Sequence, residues 1–132
     1  MTIEFPPAGG GGSLTLSGSS APVPPMFTAT YAATAAPSQV FRMDLEPDEE
    51  AVIHRLQIVM ADGSVPSGVV FDIYDETNGT VLASTTDVDR GDEGEPLART
   101  PAGVVLEGRL DNQNPSEIEA SLFPLIQVQP VG

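Results

Sequence analysis

A β-hairpin is the clearest structural signal in this sequence, and it lies in residues 68–85, GVVFDIYDETNGTVLAST. In its first half Val69, Phe71 and Ile73 alternate with Val70, Asp72 and Tyr74, which is the period-two pattern of a strand with one buried face. The Asn-Gly pair at 78–79 supplies the positive φ angles that a tight connection needs. The stretch therefore predicts two antiparallel strands joined by a short turn.

Further strand patterns lie on both sides of the hairpin. They predict strands at 39–45, 51–60, 103–110 and 117–128. In 51–60 the even positions form the more apolar face. Pro124 interrupts the last run, which implies an edge position or a bulge.

Residues 86–102 show no periodicity and carry five acidic residues with two prolines. This composition predicts a long exposed loop. Six strands with turn-rich connections and little helical pattern predict an all-β protein. We expect an antiparallel β-sandwich of jelly-roll type, preceded by an extended N-terminal arm.

The charge pattern divides the chain into two parts. No charged residue occurs between Glu4 and Arg42, a gap of 37 positions, and the remaining acids fall between Asp44 and Glu119. Residues 1–38 are rich in Gly, Ser, Pro, Ala and Thr. Residues 39–132, which we call the body, form an acidic segment long enough for one modest core.

The arm, residues 1–38, carries apolar side chains at intervals. Gly, Ser and Pro alone indicate a flexible linker, but spaced apolar anchors favour a segment that extends over a neighbouring subunit and adds strands to its sheet edge. Short strands at 14–16 and 26–31 are predicted, either within the chain or on a neighbour. The predicted anchors of this assembly arm are Ile3, Phe5, Leu14, Leu16, Val23, Met26, Phe27 and Tyr31. A disordered leader remains the alternative.

Lysine is absent from all 132 residues, and five arginines stand against 19 acidic residues, for a net charge of −14. Ordinary domains count lysine among their commonest residues. In multimolar salt the Debye length falls to roughly 3 Å, so repulsion among carboxylates is screened. The composition therefore predicts a protein adapted to high salt, from a halophilic archaeon or a virus of such a host. An acidic mesophilic protein that lacks lysine by chance is the alternative.

Composition also restricts the chemistry. With no cysteine, no lysine and one histidine, the chain lacks most of the usual catalytic residues, so we expect no enzymatic activity. A strongly acidic chain cannot neutralise phosphates, which argues against nucleic-acid binding. No apolar run reaches the roughly 18 residues of a membrane span, so no membrane partner is expected. The N-terminus also lacks the basic and apolar regions of a signal peptide.

Three further groups of residues are candidates for specific roles. His54 lacks an evident nucleophile or orienting partner, which favours a hydrogen-bonded structural histidine. Phe123 and Leu125 are candidate interface residues.

An acidic loop is dense enough in carboxylates to attract a hard cation such as Ca²⁺. Its spacing departs from the EF-hand pattern, however, and a solvated acidic loop is the simpler interpretation. Its candidate ligands are Asp87, Asp89, Asp92, Glu93 and Glu95. No other cofactor is expected.

Two segments resemble small structural proteins of haloarchaeal tailed viruses. These segments are FPPAGGGG at 5–12 and VFDIYDETNGTVLAST at 70–85. The resemblance lies in a Pro/Gly-rich arm followed by an acidic β-domain, and the hairpin is its one moderately specific motif. It implies a virion component on the capsid or the tail, and it brings no catalytic residues.

These observations lead to one main hypothesis and two alternatives. The main hypothesis is a capsid decoration or cement protein of a halophilic virus, homo-oligomeric, which contacts the major capsid protein or other virion proteins through its arm. A tail, baseplate or vertex-turret component of the same virion is the first alternative. A carbohydrate- or ligand-binding β-module of a secreted haloarchaeal protein is the second.

Overall fold

The computed structural model describes residues 2–4, 13–15, 21–22, 27–31, 38–91 and 95–131, with side chains described from residue 39 onward within those ranges. This part of the chain holds 13 strands and no helix. The strands are β1 (Thr2–Glu4), β2 (Ser13–Thr15), β3 (Ala21–Pro22), β4 (Phe27–Tyr31), β5 (Ser38–Asp44), β6 (Glu49–Met60), β7 (Val69–Asp75), β8 (Thr80–Thr85), β9 (Val88–Arg90), β10 (Ala98–Arg99), β11 (Val105–Asn112), β12 (Ile118–Leu122) and β13 (Leu125–Pro130).

The first sheet is antiparallel and runs in the order β2-β1-β5-β11-β7-β8. It contains the predicted hairpin, in which β7 pairs with β8. Val69, Phe71 and Ile73 are fully buried, as the alternation predicted.

The hairpin turn is held by a buried carboxylate. Asp75 is only 1% exposed and accepts hydrogen bonds from the Asn78 backbone N–H at 3.0 Å and from the Asn78 side-chain amide at 2.7 Å. Gly79 follows with φ of 69°, a conformation that glycine adopts without steric cost. These contacts explain why the Asn-Gly pair forms the turn.

The second sheet is built around β6, which pairs along both edges. On one side lie β12 and β13, with β4 beyond β12 and β3 beyond β13; on the other side lie β9 and β10. All of these pairings are antiparallel. Since β6 has 12 residues, two short strands fit end to end along each of its edges.

The predicted inward face of β6 is correct for its second half and wrong for its first. Leu56 and Ile58 are buried as predicted, but in the first half Ala51 and Ile53 belong to the core cluster. Val52 is only 3% exposed but lies outside that cluster. The pairing with β13 passes from Leu125–Arg55 to Ile126–Ile53, so one extra β6 residue lies opposite this step. A β-bulge of this kind reverses the alternation, which a periodicity count cannot detect.

The predicted loop at 86–102 is wrong in part, because β9 and β10 lie within it and pair with β6. Strands of three and two residues are too short to show a period. The prediction of exposure holds for β9, whose three residues are all exposed.

The predicted final strand is two strands, β12 and β13, on the same edge of β6. Phe123 lies between them and its N–H donates to the Gln57 carbonyl at 2.9 Å. The register is the same before and after Pro124 and shifts between Leu125 and Ile126. The bulge is therefore not at Pro124 itself: the register shifts only after Leu125, and the extra residue belongs to β6.

One hydrophobic core joins the inner faces of the two sheets, which gives a β-sandwich-like architecture. The largest fully buried side chains include Phe41 and Phe71 from the first sheet and Ile53 and Leu56 from the second. Gly108 in β11 lies opposite Phe41, and a Cβ built at Gly108 would overlap the Phe41 ring. The absence of a side chain at Gly108 therefore makes room for an aromatic ring in the core.

The described residues of the arm contribute four strands to the two sheets. The strands predicted at 14–16 and 26–31 are present as β2 and β4, whereas β1 and β3 were not predicted. Their partners lie within the same chain: β1 pairs with β5, β3 with β13 and β4 with β12.

Substitution of Gly108 tests this core contact. Because Phe41 cannot move without disturbing the core, Gly108→Ala should lower the free energy of unfolding by about 2–3 kcal/mol, measured by urea denaturation. Gly63→Ala is the matched control: its Cβ meets nothing within 4 Å, so only its positive φ of 78° matters, at about 1–2 kcal/mol.

A smaller residue facing Gly108 should relieve the clash. The cost of Gly108→Ala should therefore fall in a Phe41→Leu background, as a double-mutant cycle would show. A Gly108→Ala protein within about 0.5 kcal/mol of the native chain would contradict this description of the core.

Candidate assembly surfaces

The first candidate surface is the edge of the first sheet, where the arm pairs with the body. β1 lies against β5 in the register Thr2–Asp44, Ile3–Met43 and Glu4–Arg42, and β2 pairs with the other side of β1. Two strands of three residues therefore extend the sheet beyond β5.

The second candidate surface is the outer edge of the second sheet. β4 pairs with β12 over five positions, from Phe27–Leu122 to Tyr31–Ile118, and β3 pairs with β13 over two. Together with β1 and β2, these strands place the arm along an edge of each sheet.

Four of the predicted anchors lie in or beside these strands' described residues: Ile3 in β1, Leu14 in β2, and Phe27 and Tyr31 in β4. The other four lie outside the described residues: Phe5, Leu16, Val23 and Met26. The anchoring role of all eight stays a prediction.

The third candidate surface is the outer face of the second sheet, where the structure places both predicted interface residues. Leu125 is 38% exposed and Phe123 is half-buried, and each alternates with buried residues of the same run. Val59 and Val88 are also exposed on neighbouring strands. Sequence reasoning missed these two valines, because Val88 lies in a segment without periodicity and Val59 follows the bulge.

Three of the five arginines form ion pairs with acids of the same chain. Arg42 contacts Asp44 at 3.7 Å and Glu76 at 3.5 Å, while Arg99 contacts Glu50 at 3.3 Å. These side chains are between 20% and 54% exposed, a range in which one pair contributes about 0–1 kcal/mol.

Arg109 is the third arginine that forms an ion pair, and it lies on the outer face of the first sheet. Its Nε donates to Glu107 at 2.6 Å, and its guanidinium lies 3.7 Å from the centre of the Tyr74 ring. Burial opposes ionisation of Glu107, but the hydrogen bond and charge of Arg109, together with hydrogen bonds to Glu76 and Gln39, outweigh it and lower the pKa of this carboxyl. Arg109 is therefore held by both a carboxylate and an aromatic face.

Arg55 and Arg90 form no ion pair with any residue in 39–91 or 95–131. They lie directly opposite each other, Arg55 in β6 and Arg90 in β9. The Arg55 Nε is buried and has no hydrogen-bond partner within the described chain. These two guanidiniums are thus placed differently from the other three.

His54 is half-buried, and its Nε2 lies 3.3 Å from the Gln127 Oε1. The structure therefore gives it the hydrogen-bonded position that the sequence predicted. It lies at the bulge, outside the core cluster, rather than on the apolar face of β6.

The acidic loop is described only in part. Asp87, Asp89 and Glu95 are exposed, whereas Asp92 and Glu93 lie outside the described residues. Within the described ranges no three His, Cys, Asp or Glu side chains are grouped as metal ligands would be. The Ca²⁺ site stays a prediction.

An open groove of about 370 Å³ lies at the far end of β6, beside the start of β12. Three acids line it, together with the partly buried apolar side chains of Met60 and Ile118: Asp62, Glu117 and Glu119. Hydrogen bonds from Ser64 lower the pKa of the Asp62 carboxyl. This end of the sheet is therefore acidic.

No family model and no curated protein match this sequence. Several solved structures are similar in part. A chain of the Bacillus endospore appendages, described as disulfide-linked pili, has a TM-score of 0.44 and 11% identity, and the match covers 90% of this chain and 96% of that one.

Two other similar structures come from larger chains. For the Gt strain of infectious bursal disease virus the TM-score is 0.38 at 14% identity, over 78% of this chain and 30% of that one. For an arabinose-bound α-L-arabinofuranosidase the values are 0.36 and 12%, over 85% and 23%. This chain spans at most a third of the length of either. At these TM-scores the similarities carry no functional argument.

Among the described residues there is no helix long and apolar enough to cross a membrane.

Proposed function

We propose that this chain is a structural protein of the virion of a halophilic virus, and specifically a capsid decoration or cement protein. The proposal rests on one observation: the N-terminal segment, in which Glu4 is the one charged residue, contributes short strands to an edge of each sheet. In the assembled particle these strands pair with the edges of neighbouring subunits.

The length of the arm strands supports an exchangeable contact. They contain two to five residues each, so each depends on few backbone hydrogen bonds. Strand addition uses main-chain hydrogen bonds for affinity and side-chain pockets for specificity. When identical subunits exchange such a strand, each subunit forms with its neighbour the same contacts that the strand makes within one chain.

The charge distribution supports the same proposal. The arm has no charge between Glu4 and Arg42, whereas the body carries nearly all of the acidic residues. A segment that docks on neighbours does not need the carboxylate coat that keeps a surface solvated in brine. The partners are then the major capsid protein or other virion proteins, with further copies of this chain.

The proposal includes finer points that follow from the sequence. The sandwich is of jelly-roll type, the protein has no catalytic role, and it binds neither nucleic acid nor membrane. If the protein lies on the tail, the baseplate or a vertex turret, the role of the arm is the same. Labelling of particles with an antibody against residues 39–132 distinguishes these locations.

Removal of the arm tests the assembly role. Deletion of residues 1–37, which spares β5, is expected to leave a folded body that no longer incorporates into particles, because the exchangeable strands are lost. A full-length variant with the arm replaced by Gly and Ser is the matched control for chain length, and it should also fail. Copy number is measured by quantitative mass spectrometry of purified particles. Incorporation of either variant at the native level would contradict the proposal.

Salt dependence tests the halophilic origin separately. At neutral pH the thermal midpoint should rise by at least about 5 °C between roughly 0.2 and 3 M KCl, because screening relieves repulsion among the carboxylates. Circular dichroism in the far ultraviolet follows the transition. A midpoint that is constant or falls with salt would argue for an acidic protein of an ordinary cytosol.

A further inference from the structure

The outer face of the second sheet changes along the strands from positively charged, through apolar, to negatively charged. At one end Arg55 and Arg90 lie directly opposite each other, with Leu125 opposite Arg55 on the other side. In the middle lie Gln57, Val59, Val88 and Phe123. At the other end lie the acids of the groove. We call this strip the graded face; it comprises Arg55, Gln57, Val59, Val88, Arg90, Glu117, Glu119, Phe123, Leu125 and Asp62.

The positive end is unfavourable in the isolated chain. Like charges directly opposite on neighbouring strands destabilise a sheet. The chain has 19 acids, yet neither guanidinium is in an ion pair within residues 39–91 and 95–131. The buried Arg55 Nε without a partner in that part of the chain adds a desolvation cost. An external carboxylate beside the two guanidiniums would offset their mutual repulsion.

The middle of the face is apolar and exposed. Six large hydrophobic side chains are exposed in the described part of the chain, and three of them are here: Val59 at 39%, Val88 at 51% and Leu125 at 38%. Protein–protein interfaces are enriched in aromatic residues and arginine, and Phe123, Arg55 and Arg90 supply both on this face.

The negative end supplies the complementary charge. The Ala61 N–H donates to the Glu119 carbonyl, which places Glu119 six positions along β6 from Arg55. At about 3.3 Å per residue the two charged ends are about 20 Å apart. Glu119, Glu117 and Asp62 are exposed there.

We propose that the graded face binds the same face of a second copy of this chain, related by a two-fold axis that passes through the apolar middle. Rotation by 180° about this axis brings the arginines of one copy onto the acids of the other, and the reverse, while the valines and Phe123 meet at the centre. A two-fold contact requires one self-complementary patch, and a face graded from positive to negative is such a patch.

The size of the strip sets the expected affinity. Three strands spaced about 4.8 Å apart and about 20 Å long offer roughly 300 Å² per copy, below the roughly 800 Å² of a standard interface. The dimer is therefore weak in solution and is strengthened where many copies are arrayed, as the proposed function requires. The dimer contact does not involve the arm. The arm deletion and the dimerisation test below can therefore give negative results independently of each other.

Charge reversal with complementation tests the proposal in the full-length protein. The native 13.7 kDa chain should show concentration-dependent dimerisation by sedimentation equilibrium. Arg90→Glu should weaken it at least about tenfold, and Glu119→Arg likewise, because each homodimer then places like charges together twice. An equimolar mixture of the two variants should restore dimerisation, since every charged contact is again between opposite signs.

Two matched controls separate this contact from general effects. Arg99→Glu reverses a charge on the same sheet outside the graded face and should leave dimerisation unchanged. Val88→Ser should weaken the dimer, whereas Val81→Ser should not, although the two valines are 51% and 52% exposed. The valine pair also tests the proposal if a charge-reversal variant fails to fold.

Any of three results would overturn the proposal. The first is a native protein that stays monomeric at about 1 mM, a concentration at which even a weak contact is populated. The second is a mixture of the two charge-reversal variants that associates no better than either variant alone, and the third is an equal effect of Val88→Ser and Val81→Ser on dimerisation.

Discussion

The second sheet depends on the pairing of β6 along both of its edges. No other strand joins β12 and β13 to β9 and β10 in the described chain. β3 and β4 reach the sheet only through β13 and β12. The inner side chains of β6, among them Ile53, Leu56 and Ile58, also contribute to the core. The position of the arm on this sheet and the composition of its outer face are therefore both consequences of β6.

The bulge in β6 links the core to the surface. Before it Ala51 and Ile53 face inward, and after it Leu56 and Ile58 do. The extra residue places Arg55 outward, opposite Arg90, instead of in the core. The same irregularity places His54 beside Gln127. One inserted residue thus preserves a continuous core and creates the positive end of the graded face.

The sequence was sufficient for the hairpin, for β5, β6 and β11, and for the burial of the alternating residues in the hairpin. Val69, Phe71 and Ile73, for example, are fully buried as expected. It was insufficient where structure depends on partners rather than on period. The three residues of β9 carry no signal without β6, and the bulge at Arg55 breaks the alternation that a count relies on. Phe123 and Leu125 could be named from the sequence as apolar candidates for an interface, whereas Arg55, Arg90 and Val88 became candidates only when the strand register placed them on one face.

The arm's strands could be exchanged between chains because the same backbone positions exist in every copy. The register places Thr28 opposite Ser121, and the native chain has no cysteine, so single cysteines at these two positions report on this pairing without interference. Particles are assembled from a mixture of the Thr28→Cys and Ser121→Cys chains and oxidised, with Thr28→Cys and Ser84→Cys chains as the control. We expect a covalent dimer that joins one chain of each kind and is absent from the control mixture. Strand exchange between subunits would be contradicted by particles in which no such dimer forms, while a chain carrying both Thr28→Cys and Ser121→Cys closes the disulfide within itself.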